Sequence, residues 1–120
     1  MAGLIDEEAL LERVAGDPGF LASMVNIFVA DVPMRLDAIR AGLRQADPNV
    51  VERAAHSLKG ALATMAADTA AAEALRLEQL GRAGTLDGAA DVLAALERQV
   101  AAVTAALRDL VDELTPDDAA

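Results

Sequence analysis

The sequence of 120 residues contains no cysteine, tryptophan or tyrosine, and its only aromatic residues are Phe20 and Phe28. Without cysteine, the chain forms no disulfides and offers no thiolate as a nucleophile or metal ligand. Basic residues are also scarce, since 10 of them stand against 20 acidic residues and the formal net charge is −10. This balance disfavours binding to nucleic acid or to an anionic membrane, because both need a concentrated basic surface.

Targeting segments are missing as well. The stretch MAGLIDEEALLERVAG at the start has neither the basic region nor the long apolar run of a signal peptide. No apolar segment reaches membrane-spanning length without charged residues. We therefore expect a cytoplasmic protein that does not enter a membrane, and Met1 just before the first helix favours a free-standing chain.

Helix-forming residues make up much of what is present. Hydrophobic residues account for 54% of the chain, and many of them are alanine, a strong helix former. This composition predicts an all-α protein. Helix breakers separate five helical stretches, at about residues 6–15, 18–45, 48–66, 68–80 and 86–114.

Capping residues stand at the predicted helix starts. Proline at the first helical position, as at Pro18 and Pro48, supports such a start, whereas Pro33 inside the second helix predicts a kink. A GRAGT segment at residues 81–85 is the predicted turn before the last helix. The predicted N-caps are Asp6, Asp17, Asp47, Asp68 or Thr69, and Thr85.

Two helices carry long apolar stripes at helical spacing. In the second helix the stripe is Leu21, Val25, Phe28, Val32, Leu36, Ile39 and Leu43. In the last helix it is Leu93, Leu96, Val100, Val103, Leu107, Leu110 and Leu114. Long amphipathic helices joined by short turns predict an antiparallel four-helix bundle with a short additional N-terminal helix. We expect a single domain over residues 1–114 and a flexible tail over residues 115–120.

The segment AAHSLKGALATM, residues 54–65, holds the only histidine, His56, and the only lysine, Lys59. At about 100° per residue, the apolar residues of this helix share one face, and His56 points roughly 140° away from its centre. His56 therefore faces solvent or a partner. The apolar face consists of Val51, Ala55, Leu58, Leu62 and Met65.

Gly60 lies one turn after His56, in the interior of a predicted helix. Glycine there costs about 1 kcal/mol relative to alanine, but it allows a bulky group to approach the imidazole closely. Lys59, three residues after His56, can swing toward an anion on the ring. An exposed imidazole, an open approach and a mobile cation suit a histidine that carries a phosphoryl group.

The same segment closely resembles the signature of histidine-containing phosphotransfer (Hpt) domains of bacterial phosphorelays. The residues that carry the resemblance are His56, Leu58, Lys59, Gly60 and Ala63. The segments before and after them also look like the family's other helices, so the resemblance covers about residues 6–112.

The resemblance implies a fold and a mechanism. His56 would accept a phosphoryl group from a receiver-domain aspartate and pass it to another receiver's aspartate. Lys59 would steady the phosphoryl oxygens, and Gly60 would leave room for the receiver. The receiver would supply Mg²⁺, and this chain would bind no cofactor. The sequence has no GxxxxGK[ST] nucleotide loop, so we expect no ATP-dependent kinase activity of its own.

Further apolar residues lie off the main stripe of the second helix. The first helix, through Ile5, Leu10, Leu11 or Val14, is expected to cover Phe20 and Met24. The remaining two, Ile27 and Met34, are predicted to dock partners beside His56, because uncovered apolar residues often mark interfaces. Arg53 and Ala63 lie near His56 on its helix and are further candidates for partner contact.

Other functions are less well supported by the residues. A metal site is not expected, because there is one histidine and no tight acidic cluster. Ser57 projects about 100° away from His56 around the helix, which disfavours a hydrolase. The open alternative is a helical adaptor that docks receiver domains without phosphotransfer. A monomer is expected, because the histidine face must stay accessible.

Overall fold

The computed structural model describes residues 4–115. Within them it contains five α-helices and no strand. Of the tail predicted at residues 115–120, only Thr115, the residue that ends the last helix, is among the described residues. The helices are α1 (Glu7–Arg13), α2 (Pro18–Arg44), α3 (Pro48–Thr64), α4 (Asp68–Ala83) and α5 (Ala89–Leu114).

Side-chain caps begin the first three helices, as predicted. The carboxylate of Asp6 accepts a hydrogen bond from the backbone N–H of Ala9 at 3.1 Å. Asp17 and Asp47 do the same for their own first turns, which satisfies N–H groups that have no partner within the helix. The order Asp-Pro therefore sets where α2 and α3 begin.

The starts of the last two helices differ from the prediction. Neither has a side-chain cap, since the N-cap residues are Ala67 for α4 and Gly88 for α5. The hydroxyl of Thr85 instead accepts a hydrogen bond from the N–H of Asp87 within the connecting turn. The prediction that α4 ends near residue 80 is also wrong, because it continues to Ala83 and ends at Gly84, whose φ is +78°.

The four long helices surround a common core. The second helix packs against α3 and α5, and α4 packs against the same two helices, so the four close into a ring of neighbours. The apolar stripes predicted for α2, α3 and α5 are buried, apart from Leu43 and Leu114, which are half-buried. The antiparallel order of the helices stays a prediction. The kink at Pro33 also stays a prediction, since α2 continues through this exposed residue.

The short helix α1 lies over the end of α3. Arg13 donates hydrogen bonds to the carbonyl oxygens of Ala63 and Thr64, at 2.6 and 2.8 Å, and so satisfies groups that have no partner within α3. The backbone N–H of Asp6 donates to the carbonyl of Ala66. These contacts hold α1 at the end of the bundle. Leu10 of α1 and the adjoining residues Ile5 and Val14 are buried in the core.

This position explains one wrong prediction. The side of α2 that carries Phe20 is not covered by α1, and Phe20 is 52% exposed. Met24, one turn further, is half-buried. The apolar residues of α1 are used for the core, so none is left to cover Phe20.

Within residues 4–115, α2 alone is long and apolar enough to cross a membrane, by length and composition only. A core helix can have the same properties. Here the apolar stripe of α2 contributes to the core of the bundle.

Candidate functional site

The side chain of His56 is 66% exposed, on the side of α3 that faces away from the core. The opposite side of the helix is fully buried at Val51, Ala55 and Leu58. The imidazole therefore lies on the exposed side of α3, as the helical periodicity of the sequence predicts. A large partner can reach this ring without any rearrangement of the core.

A buried carboxylate lies beside the exposed ring. Glu78 on α4 is only 3% exposed, and its Oε2 lies 3.2 Å from Nδ1 of His56. An ionised carboxylate can only accept hydrogen bonds, so the proton of the neutral imidazole sits on Nδ1. The lone pair is then left on Nε2. The arrangement orients the ring and presents one nitrogen as a nucleophile.

Two cations share the carboxylate with His56. The Nζ atom of Lys59 lies 2.7 Å from Oε1 of Glu78, and a guanidinium nitrogen of Arg82 lies 2.8 Å from Oε2. The Nε atom of Arg82 also lies 3.1 Å from the carboxylate of Glu52 on α3. The close ion pair with Lys59, followed by the hydrogen bond from His56, holds the pKa of Glu78 below its usual value, against the opposing effect of burial.

Close packing of two helices brings these groups together. A Cβ atom at Gly81 of α4 would lie 2.6 Å from the carbonyl oxygen of Pro48 and 2.7 Å from the backbone nitrogen of Glu52. Real side chains do not tolerate such distances to backbone atoms, so only glycine allows this approach. Glu78 lies three residues before Gly81, and Arg82 follows it directly. Their reach to α3 therefore depends on this contact.

Gly60 is a glycine of a different kind. A Cβ atom added there would have no neighbour within 4 Å, so the packing of this chain does not require glycine at this position. The predicted open approach is present in the structure. Gly60 is exposed on the same outward side of α3 as His56.

An apolar surface lies between the exposed sides of α2 and α3. Ile27 and Met34 are each 70% exposed, as predicted. A hollow of about 230 Å³ has Ile27, Ala61 and Thr64 among its lining residues. A second, of about 300 Å³, has Met34 and Ser57 among its own. On α3, this surface therefore includes Ser57, the residue that follows His56.

The charged residues of this surface are paired with each other. Asp31 and Arg35, one turn apart on α2, form an ion pair and line both hollows. The negative charge of Asp31 within this surface is thus compensated by Arg35. Arg53 and Ala63, the other candidates for partner contact, are both exposed on α3. No group of three or more metal-binding side chains occurs in the described part of the chain.

Sequence reasoning missed Glu78, Gly81 and Arg82. The GRAGT segment that contains Gly81 and Arg82 is predicted as a turn, but both residues belong to α4. One signal could have revealed Glu78. It lies four residues after Ala74 and seven after Ala71, which are both buried, so a lone acidic residue stands in the apolar stripe of its helix. Acidic residues are rarely buried unless they are paired.

Comparison with known proteins connects this geometry to a family. The family model of the Hpt domain matches residues 23–114, which include His56, Lys59 and Glu78. The chain belongs to the Hpt domain family. At the level of the family, it is a phosphotransfer intermediate of two-component signalling, and Hpt proteins interact with receiver domains in phosphorelays.

The fold of this Hpt domain is also that of a solved structure. It is similar to the crystal structure of histidine-containing phosphotransfer protein B (HptB) from Pseudomonas aeruginosa PAO1, with a TM-score of 0.87 and 26% sequence identity. The similarity covers 94% of this chain and 98% of HptB. A comparison with curated proteins gives no match.

Proposed function

We propose that His56 accepts a phosphoryl group from an aspartyl phosphate of one receiver domain and passes it to the aspartate of another. The observation that carries this proposal is the hydrogen bond between Nδ1 of His56 and the buried Glu78, at 3.2 Å. It leaves the lone pair of Nε2 directed away from the carboxylate, on a ring that is 66% exposed. A nucleophile in this state needs no separate base, because no proton leaves Nε2.

In the transfer, Nε2 of His56 forms a bond to phosphorus while the bond from phosphorus to the aspartate oxygen breaks. Nδ1 keeps its proton, so the ring becomes positively charged as the N–P bond forms. The carboxylate of Glu78 stabilises this developing charge, because it is preorganised beside Nδ1. The reverse sequence returns a neutral imidazole and phosphorylates the second receiver.

Two neighbours of His56 have proposed roles toward the partner. Lys59 carries a positive charge that would stabilise the phosphoryl oxygens, and its side chain is 29% exposed. Gly60 leaves space for the receiver, since no atom lies within 4 Å of where its Cβ would be. The receiver is proposed to supply Mg²⁺. This chain is proposed to bind no cofactor and to lack ATP-dependent kinase activity.

Receiver domains are proposed to dock on the surface beside the histidine. Ile27 and Met34 offer exposed apolar contacts, and methionine can adapt to more than one partner. Arg53 and Ala63 extend the same contact on α3. A monomer is proposed, because each receiver needs access to the whole face. The protein is proposed to act in the cytoplasm.

The proposal is tested by phosphoryl transfer from purified, prephosphorylated receiver domains, measured by intact-protein mass. We expect the wild-type chain to gain an acid-labile phosphoryl group and the His56→Gln variant to gain none while it still binds the receivers. Binding without transfer by the wild type supports the alternative, an adaptor that docks receivers. Transfer to the His56→Gln variant would exclude His56 as the carrier.

A further inference from the structure

Lys59, the cation proposed to stabilise the phosphoryl group, is paired with a carboxylate in this structure. Lys59 lies 2.7 Å from Oε1 of Glu78, while Nδ1 of His56 faces Oε2 of the same carboxylate. Nε2 is on the other edge of the imidazole. When Lys59 turns toward phosphoryl oxygens on Nε2, its contact with Glu78 is weakened or lost.

This movement leaves a buried negative charge behind. Glu78 is 3% exposed, and removal of one partner from a buried ion pair is strongly unfavourable, because the other charge is left uncompensated. The hydrogen bond from His56 alone does not supply a full positive charge before transfer. A second cation at the carboxylate is therefore needed if Lys59 is to leave at low cost.

Arg82 satisfies this requirement. Its guanidinium lies 2.8 Å from Oε2 of Glu78, one turn earlier on α4, and also contacts Glu52 of α3. Arginine can bind two carboxylates at once through its planar set of donors. Contact with Glu52 keeps the guanidinium beside the site. Both contacts remain available when Lys59 moves.

We propose that Arg82 is a positioning residue for phosphotransfer, which keeps Glu78 paired and oriented on His56 while Lys59 moves to the phosphoryl group. This inference rests on the proposed function of His56. It assigns different tasks to the two cations that contact Glu78. Lys59 exchanges partners during the reaction, whereas Arg82 holds the carboxylate throughout.

Arg76 on the same helix supplies a matched control. It is 65% exposed, against 64% for Arg82, and pairs with Glu73 three residues earlier on α4. Arg76→Gln therefore removes a similar exposed arginine from α4 without affecting a contact to Glu78. Arg82→Gln removes the proposed positioning group, and Arg82→Lys preserves its charge.

The first test measures the initial rate of phosphoryl transfer from a prephosphorylated receiver. We expect Arg82→Gln to be roughly tenfold slower than wild type, the effect of one lost charge-assisted hydrogen bond on a barrier. Arg82→Lys should recover part of the rate, and Arg76→Gln should match wild type. Equal rates for Arg82→Gln and wild type, or an equal loss in Arg76→Gln, would overturn the proposal.

The second test does not depend on phosphorylation. Lys59→Gln is introduced into the wild type and into the Arg82→Gln variant, and the urea midpoint of unfolding is measured for all four proteins. If Arg82 maintains the pairing of Glu78, Lys59→Gln should lower the midpoint at least about twofold more in the absence of Arg82 than in its presence. Additive shifts would overturn the proposal.

The two tests separate failure of this inference from failure of the proposed function. A wild-type chain that accepts no phosphoryl group from any receiver contradicts the proposed role of His56. The four-protein comparison then still decides whether Arg82 maintains the pairing of Glu78. Normal transfer in the wild type and in Arg82→Gln contradicts the role of Arg82 alone.

Discussion

The Nδ1 atom of His56 lies 3.2 Å from the buried carboxylate of Glu78. A residue of α4 thus determines which nitrogen of a residue of α3 is free to react. The imidazole is exposed, but Glu78 orients it and favours the tautomer with the proton on Nδ1. This combination explains how a mostly exposed side chain can be a prepared nucleophile.

Removal of this carboxylate should slow phosphoryl acceptance. In Glu78→Ala, Nδ1 loses its acceptor, and the proton is free to move to Nε2, where it blocks the lone pair. We expect a rate roughly tenfold lower, corresponding to about 1.4 kcal/mol of lost transition-state stabilisation. The ¹⁵N chemical shifts of His56 should report the mixed tautomers. Glu73→Ala, on the same helix, is the control, and an equal effect there would contradict the specific role of Glu78.

Stability should depend on the charge of Glu78 in acid. Its pKa is lowered in the folded state, chiefly by the ion pair with Lys59. The unfolded chain therefore binds the proton more readily than the folded chain. Above the ordinary pKa of about 4.5, the ionised Glu78 contributes fully to the free energy of unfolding. This contribution is lost as the pH falls through the lower pKa of the folded state. As the pH falls below about 5, wild type should lose more free energy of unfolding than Glu78→Gln. Urea unfolding over this range is the measurement, and parallel profiles would contradict the prediction.

Stability and function should move in opposite directions at Gly60. A methyl group fits there without contact, and alanine is favoured over glycine in a helix by about 1 kcal/mol. We expect Gly60→Ala to raise the free energy of unfolding by roughly that amount. Transfer from a receiver should become slower, because the methyl group occupies the approach to His56. A more stable variant with unchanged transfer would show that the receiver does not use this space.

The opposite effect is expected at Gly81. A Cβ atom there would lie 2.6 Å from the carbonyl oxygen of Pro48, so Gly81→Ala should push α4 away from α3. Overpacking of this kind costs about 1–3 kcal/mol, measurable by urea unfolding. The His56 ring should also lose its fixed tautomer, as seen by ¹⁵N shifts. Full stability together with an unchanged tautomer would mean that the helix contact is not needed for the site.

Receiver binding should weaken when the apolar surface is made polar. Ile27 and Met34 are 70% exposed, so replacing both by serine should change stability by less than about 0.5 kcal/mol. We expect an increase in receiver Kd of about tenfold, measured by titration calorimetry. Phe20→Ser is the control, because Phe20 is also exposed on α2 but lines neither hollow. An equal loss of affinity in the control would contradict the proposed location of the docking surface.

The helices themselves could be predicted well where local chemistry decides them. Asp17 and Asp47 begin α2 and α3 by capping their own first turns, an interaction within three residues. The start of α4 could not be read in this way. Its backbone begins directly after the turn at residues 65–67 without a side-chain cap, so Asp68 and Thr69 only resemble caps.

The sequence by itself determined that His56 is exposed, because helical periodicity alone places it on the side of α3 opposite the buried apolar face. It also identified Lys59 and Gly60 as neighbours of the ring, since they lie within one turn of it. Only the tertiary structure decided the partner of the ring, because Glu78 is 22 residues away and reaches His56 through the contact of α4 with α3. That contact depends on the absence of a side chain at Gly81, and no local pattern distinguishes a glycine that permits close packing from one that ends a helix.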